Sequence, residues 1–368
     1  MMEVIGIIAE YNPFHNGHKY HIDQIKKKYP KSIIVLAING YFSERGEISL
    51  LTKEDKTKLS LDYGVDIVVE LPALFGTQSA DIFAEASVKI LNNFKVDRII
   101  FGSESNNVSI LDEIARTQLY DPDFNERVKE NLKNGVNYPT AMAKALNIEF
   151  DFNPNDLLGI SYIKAALKNN FEIEFETIKR TNEYHDVVLD EDIVSASNIR
   201  EKIEMNSNIE KYVPYNPDDY IVDINPKKFF DLLRYEIITN NHLEDYLTVD
   251  EGIENKLKKE VLKAFNREDL IYLIKSKRYT YNKISRMFIH ILLNVEKKSY
   301  SLDYTKVIGF SQNGQKYLSS IRDDLILPIN PDINSDVFKY EIKASYVYDL
   351  LTNSKTLAFE TRNKPIMK

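Results

Sequence analysis

Four short apolar runs rich in branched side chains, interleaved with stretches of helical periodicity, set the limits on what this chain can fold into. Val4 to Ala9 (VIGIIA), Ser32 to Ile38 (SIIVLAI), Asp66 to Leu71 (DIVVEL) and Asp97 to Phe101 (DRIIF) are continuously apolar over most of their length. That is the pattern of strands buried on both faces. Pro72 stops the third run and Gly102 the fourth. Helical stretches are expected from about His18 to Lys28 and from Ser79 to Phe94, where Ile82, Phe83, Ala86, Ile90 and Leu91 share a face. Pro154-Asn155-Asp156 opens another helix, Phe171 to Lys179 alternates as a strand, and Ser195-Ala196-Ser197 opens a helix ending near Met205. Alternation at this interval predicts an α/β fold built on a doubly wound parallel sheet, with ligands beyond the carboxyl ends of its strands.

The character changes near Asn206. Asn206 to Pro226 is rich in Asn, Asp and Pro and is expected to be a linker. Helical patterns follow, the clearest in Tyr281 to Asn294, where Ile284, Met287, Phe288, Ile291 and Leu292 form one apolar stripe. Two domains are therefore expected, 1–205 and a mainly helical 206–368.

Composition removes several function classes. The 368 residues carry 48 Lys and Arg against 56 Asp and Glu, a net charge of −8, so nucleic-acid binding through general basicity is excluded. Absence of Cys excludes disulfides, thiolate zinc sites, iron–sulfur clusters and cysteine nucleophiles. The apolar run Ile5 to Ala9 is too short for a signal peptide and Glu10 follows it. No run approaches the ~18 to 20 apolar residues of a membrane span. A cytoplasmic protein is expected.

Where the first run ends, the chain reads Asn12-Pro13-Phe14-His15-Asn16-Gly17-His18 and enters a helix. A helix N-terminus presents unpaired N–H groups and about half a positive charge, which favours phosphate. Gly17 would let phosphate approach without a Cβ in the way. His15 and His18 set two imidazoles beside the same spot, able to donate hydrogen bonds whether charged or neutral. His21, one turn further on, is expected to pack or to lie on the helix surface. Zinc fits less well, because no nearby carboxylate or fourth ligand completes a site at the usual spacing.

These residues resemble a known group. His-x-Gly-His after a first strand is similar to the signature of the nucleotidyltransferase superfamily, shared with class I aminoacyl-tRNA synthetases. The longer string Glu10 to His21 (EYNPFHNGHKYH) resembles bacterial tRNA(Met) cytidine acetate ligases. That family's motifs recur in order: Arg45-Gly46-Glu47, Glu70-Leu71-Pro72, Gln78-Ser79-Ala80, Phe101-Gly102-Ser103-Glu104, Tyr138-Pro139, and Pro154-Asn155 with Leu158-Gly159. Arg180 with Tyr184-His185-Asp186, Ser195-Ala196-Ser197 with Ile199-Arg200, Arg278-Tyr279-Thr280-Tyr281 and Gly309-Phe310 follow. The chain departs from the family at Tyr41, at Glu44, at Glu54 (often Trp there) and at Lys56 (usually Arg there). A carboxylate at Glu44, beside a site for anions, is unexpected.

The resemblance implies a Rossmann-like nucleotidyltransferase domain followed by a mainly helical C-terminal domain. It also implies a ligase. Acetate would attack the α-phosphate of ATP, giving acetyl-adenylate and pyrophosphate. The wobble cytidine of elongator tRNA(Met) would then take the acetyl group, giving N4-acetylcytidine and AMP. ATP would lie against Ile7, Ile8, Ala9, Glu10, Tyr11, Asn12, Pro13, Phe14, His15, Asn16, Gly17, His18, Lys19 and Tyr20, with Gly102, Asn155 and Arg180. Ser195 and Ser197 would meet the outer phosphates. His15, His18 and Arg200 would stabilise the pentavalent phosphorus and the departing pyrophosphate, with magnesium as the nucleotide's companion. Arg45 is a further candidate for substrate contact. Plainer roles exist beside these: a tight turn at Gly102, a helix cap at Asn155, a surface ion pair at Arg180, and an ordinary cap at Ser195 with an exposed Arg200.

An RNA partner needs a local basic surface. Between Lys256 and Arg286 there are ten basic and three acidic residues. Lys275, Lys277, Arg278, Lys283 and Arg286 cluster around Tyr279 and Tyr281, a mixture suited to phosphate contact and base stacking, though it equally describes a solvated helix face. Two other activities compete: a small-molecule adenylyltransferase on the same nucleotide core, and a nucleotide-gated RNA-binding protein without catalysis.

Overall fold

The computed structural model describes residues 2–136, 138–148, 150–180, 192–362 and 364–368. The motif Tyr184-His185-Asp186 lies outside the described residues, as do the side chains of Tyr138 and Pro139. Seven strands form one sheet: β1 (Val4–Ala9), β2 (Ile33–Asn39), β3 (Ile67–Leu71), β4 (Arg98–Ser103), β5 (Glu174–Lys179), β6 (Val307–Phe310) and β7 (Ile366–Met367). Their spatial order is β5-β4-β1-β2-β3-β6-β7. The first five are mutually parallel, and only the β3–β6 pairing is antiparallel. The chain winds outward from β1 through β2 to β3, then crosses back to build β4 and β5 on the other side. The direction of winding reverses between β1 and β4, which makes the crevice at their carboxyl ends the expected ligand position.

The continuous apolar runs have the cause inferred for them. Val35 and Ala37 of β2 point into one core layer, while Ile34, Leu36 and Ile38 point into the other. Both faces of the sheet are covered, so neither set needs to be polar.

In the first half of the chain the differences from the sequence expectation are local. Helix α1 (Asn16–Lys28) starts two residues early because His15 is its cap. β4 runs through Gly102 to Ser103, since both still pair with β5, at Ile178 and Lys179. Helix α2 (Lys53–Asp62) left no apolar stripe to read, because its buried face includes Lys53, Lys56, Thr57 and Ser60. The helices Val108–Tyr120, Phe124–Lys133 and Tyr138–Leu146 follow β4, and a small separate core forms around Phe124, Val128, Ala141, Met142 and Ala145.

Beyond residue 206 the chain is mainly helical, yet it returns to the sheet through β6 and β7. Phe229, Leu233, Ile271, Phe288 and Leu351 join the same core as Val35 and Val69. The stretch expected to be a linker is packed. Ile209, Tyr212 and Val213 bury against Val194 and Ile199, and the Val222 N–H donates to the Leu50 carbonyl at 3.0 Å.

A fully buried charge cluster ties the returning chain to the sheet. The Lys53 ammonium lies 2.7 Å from Glu70, 2.5 Å from Glu341 and 2.5 Å from Glu360. Lys306 adds a second cation, 3.1 Å from Glu360. Tyr304 donates to Glu70 at 2.8 Å, Tyr41 donates to Glu360, and the Ala73 N–H donates to Glu341. Among the described residues these three carboxylates form the one acidic group close enough to share a metal ion, and an ammonium already fills its centre.

Candidate nucleotide site at the head of the first helix

β1 delivers the chain to its carboxyl end, and the turn from Tyr11 to His15 lies buried there. Tyr11 takes a left-handed conformation (φ 47°) and Asn12–Pro13 is cis. Phe14 packs edge-on against Tyr11 at 4.8 Å between ring centroids and stacks on Tyr63 at 5.2 Å. This aromatic bed fixes the two histidines. The His15 Nδ1 accepts from the Gly17 N–H at 3.0 Å, and the His18 Nδ1 accepts from the His15 N–H at 3.2 Å. Together they form a reciprocal capping box made from imidazoles. The two rings stack 3.7 Å apart.

This geometry settles the protonation of both rings. Each Nδ1 is an acceptor, so in the neutral imidazole the proton sits on Nε2. Burial pushes the pKa of His15 down to about 3, helped by the positive charges of Arg180 and Arg200. Burial, then His15 and Arg180, hold His18 well below the ordinary imidazole value. Both are neutral near pH 7, each with an Nε2–H to donate. His21 is lowered to about 4, chiefly by burial, and its Nε2 is buried without a partner. The role of Gly17 is also clearer. A Cβ there would lie 2.8 Å from the His15 ring, so the glycine makes room for the imidazole that caps the helix.

Arg200 arrives from the other side. Ser195 caps the helix Ala196–Glu204, accepting from the Asn198 N–H. That helix begins beside α1: Asn16 donates to the carbonyls of Asp192 and Lys211, and Ile193 lies over Gly17. Two helix N-termini converge as a result. Arg200 donates to the Asn12 carbonyl at 2.9 Å and to the Ser197 hydroxyl at 3.2 Å, and pairs with Glu47 at 3.0 Å. It is bound to the turn rather than exposed.

The third side comes from the β4–β5 end. Arg180 leaves β5 and its side chain covers Gly102, with its Nε 3.8 Å from Glu104. Asn155 is not the helix cap, a position that Asn153 takes; its amide donates to Glu104 at 2.5 Å, and the Asp156 N–H binds the same carboxylate. Gly102, Glu104, Asn155 and Arg180 therefore form one constellation at the carboxyl end of β4.

Sequence reasoning did not anticipate how the turn Ser43–Glu47 acts. The Glu44 N–H donates to Glu10, whose same oxygen accepts from Asn39. The Glu44 carboxylate pairs with Arg286 at 2.9 Å, and Ser285 donates to the Gly46 carbonyl at 2.8 Å. The unexpected Glu44 is the partner of Arg286. Burial raises its pKa to about 7, with Arg286 opposing and Glu10 adding to the rise. The other departures are structural too. Lys56 is buried and donates to the carbonyls of Asn39 and Gly40, Tyr41 belongs to the buried charge cluster, and Glu54 pairs with Lys58 and Arg362. No periodicity signals the pairing of Glu44 with Arg286, or of Glu54 with Arg362, because the partners come from distant segments.

Of the basic residues expected to meet RNA, Lys275 and Lys277 are exposed and make no ion pair among the described residues. Arg278 pairs with Glu251 on the surface, and Lys283 sits 4.2 Å over the Tyr279 ring. Arg286 is turned inward to Glu44. Tyr279 is buried, its hydroxyl donating to the Asp250 carbonyl, so it is no stacking platform.

A parallel sheet with its switch point at a His-x-Gly-His helix start defines the class of HIGH nucleotidyl transferases. The family profile described as "HIGH Nucleotidyl Transferase" matches residues 2–363. The chain is 35% identical to the tRNA(Met) cytidine acetate ligase of Geobacillus sp. (strain WCH70), over 94% of each protein. It is 34% identical to that of Clostridium perfringens (strain ATCC 13124), over the whole of both. The crystal structure of Thermotoga maritima TmcAL bound with alpha-thio ATP superposes with a TM-score of 0.84 at 26% identity, covering 100% of this chain and 99% of that one. This chain belongs to the tRNA(Met) cytidine acetate ligase family.

Proposed function

We propose that this chain is an ATP-dependent ligase that acetylates N4 of the wobble cytidine in elongator tRNA(Met), in the cytoplasm, releasing AMP and pyrophosphate. The observation that carries this is the pair of neutral imidazoles at the head of α1, with Arg200 fastened to the same turn. Full-length similarity to tRNA(Met) cytidine acetate ligases supports the choice of substrates. A structural relative holding alpha-thio ATP supports the nucleotide.

The chemistry then follows from charge. Acetate and ATP are both anions and repel each other. The Nε2–H groups of His15 and His18, the positive ends of two helix dipoles, and the guanidinium groups of Arg180 and Arg200 offset that repulsion. An acetate oxygen bonds to the α-phosphorus as the bond to the pyrophosphate oxygen breaks. The cytidine amine next attacks the acyl carbon, AMP leaves, and the amine sheds a proton. Magnesium would enter with the triphosphate, held by phosphate oxygens and water. The buried acidic group does not fit it, because Lys53 occupies its centre. We assign the nucleotide chemistry to residues 1–205 and the RNA face to 206–368.

Labelled acetate tests this. Incubated with ATP and elongator tRNA(Met), the protein should leave label in RNA and release AMP. Label that stays out of RNA while ATP is consumed would refute the proposal.

A further inference from the structure

The helices that carry the basic segment also expose large uncharged side chains. Helix Arg267–Ile274 buries Leu270, Ile271 and Ile274, and turns Glu268, Tyr272 and Lys275 outward on the opposite face. Tyr272 is 83% exposed and Phe265 is 90% exposed. Phe265 directly precedes the cap residue Asn266, where an apolar side chain commonly folds back onto the fourth helical residue. Here that residue, Leu270, is fully buried while Phe265 lies open. Leu262, three residues earlier, is 62% exposed. A single exposed apolar side chain needs no explanation, but three within one turn-and-helix unit mark a contact surface.

The surrounding charge selects the partner. Lys258, Lys259, Lys275 and Lys277 stand on either side of these rings in the chain and make no ion pair among the described residues, while the nearby carboxylates Glu260 and Glu268 are paired with Lys263 and Arg267. A second copy of the chain docked through the same patch would set like charge against like charge. A single-stranded nucleic acid satisfies both features, with phosphates on the lysines and bases on the rings.

The patch is also wired to the site. Arg267, about 8 Å along the helix axis from Tyr272, donates to the Ser285 hydroxyl, which donates to the Gly46 carbonyl in the turn that holds Glu10 and Arg200.

We propose that Phe265 and Tyr272 are stacking platforms for unpaired bases of the RNA substrate, next to the phosphate-binding lysines. This rests on the tRNA ligase function and names where the RNA loop lies.

The test measures binding of elongator tRNA(Met) transcript at several salt concentrations, alongside acetate-dependent ATP–pyrophosphate exchange, which needs no RNA. Phe265→Ala and Tyr272→Ala should each weaken RNA binding by about fivefold or more. Their salt slopes should stay parallel to the wild type, because an uncharged ring releases no counterions. Lys275→Ala with Lys277→Ala should instead flatten the slope. Tyr272→Phe should keep the affinity, and exchange should be unaltered in every ring variant. Wild-type protein that exchanges but never binds the transcript sinks the ligase assignment and this face together. Wild-type binding with an unaffected Phe265→Ala/Tyr272→Ala double variant overturns the stacking face alone. So does sedimentation showing that the double variant has lost only a dimer.

Discussion

At the scale of single residues, the site is decided by which nitrogen carries a proton. The backbone N–H groups of Gly17 and His15 occupy Nδ1 of His15 and His18, leaving each Nε2–H outside these bonds, as the proposed phosphate contact requires. His15→Asn separates capping from chemistry, because Asn is among the best caps. The variant should stay within about 1 kcal/mol of wild-type stability in denaturant melts yet lose adenylate formation. His18→Ala should lower acetate-dependent ATP–pyrophosphate exchange by about 10²- to 10³-fold, the usual effect of removing one transition-state donor. Retained exchange in either variant would contradict the assignment. Protonation can be read directly. With His15 and His21 lowered to about 3 and 4, their imidazole resonances in the ligand-free protein should not titrate between pH 8 and pH 5. A midpoint near 6.5 would show that the rings are solvated instead.

At the scale of elements, the turn Ser43–Glu47 joins three parts of the molecule. It binds Glu10 after β1, Arg200 on the helix Ala196–Glu204, and Ser285 and Arg286 on the helix Tyr281–Leu292. Gly46 makes this possible. Its φ is +74°, and a Cβ would lie 2.5 Å from the Arg286 backbone nitrogen. Gly46→Ala should therefore destabilise the protein by roughly 2 kcal/mol or more through strain and overlap, measured by urea unfolding. It should weaken tRNA and nucleotide affinity together, since the turn is paired with Arg200 on one side and Arg286 on the other. A neutral melt with normal affinities would show that the turn adjusts freely.

At the scale of the whole molecule, the charge cluster and the returning strands hold the two halves together. Two ammonium groups face three carboxylates, leaving one excess negative charge out of contact with water. Burial raises Glu341 from 4.5 to about 7, against the pull of Lys53. Between those values the folded chain holds a proton that the unfolded chain has lost. Its contribution is thus present below pH 4.5 and fades as pH rises through about 7. Wild type should accordingly lose stability relative to Glu341→Gln from pH 5 to pH 8, as read by unfolding at each pH. A wild type that gains on the variant over that range would reverse the sign and the assignment. The buried histidines act oppositely: their contribution is lost as pH falls below 6.5. A chain truncated after Met205 loses β6, β7 and much of one core layer, leaving the β3 edge bare. It should be insoluble, and a soluble fragment with cooperative unfolding would argue against the shared core.

The sequence by itself determined the five parallel strands, the class of protein and the strand–turn–helix unit that carries the two histidines. Those depend on short-range signals: continuous apolar runs, a capping turn and histidines three apart, all within one strand–turn–helix unit. Val4–Ala9 matches β1 residue for residue, and His15 and His18 fall where the turn needs them. What only the tertiary structure decided depends on partners far apart in the chain. Arg200 meets Asn12 across 188 residues, Arg286 meets Glu44 across 242, and Lys53 meets Glu341 across 288. Burial turned Arg286 and Tyr279 inward and left Phe265 and Tyr272 outside. A one-dimensional pattern records which side chains a chain owns. Only packing fixes which of them lose water, and that loss sets their charge, their partners and their availability to a substrate.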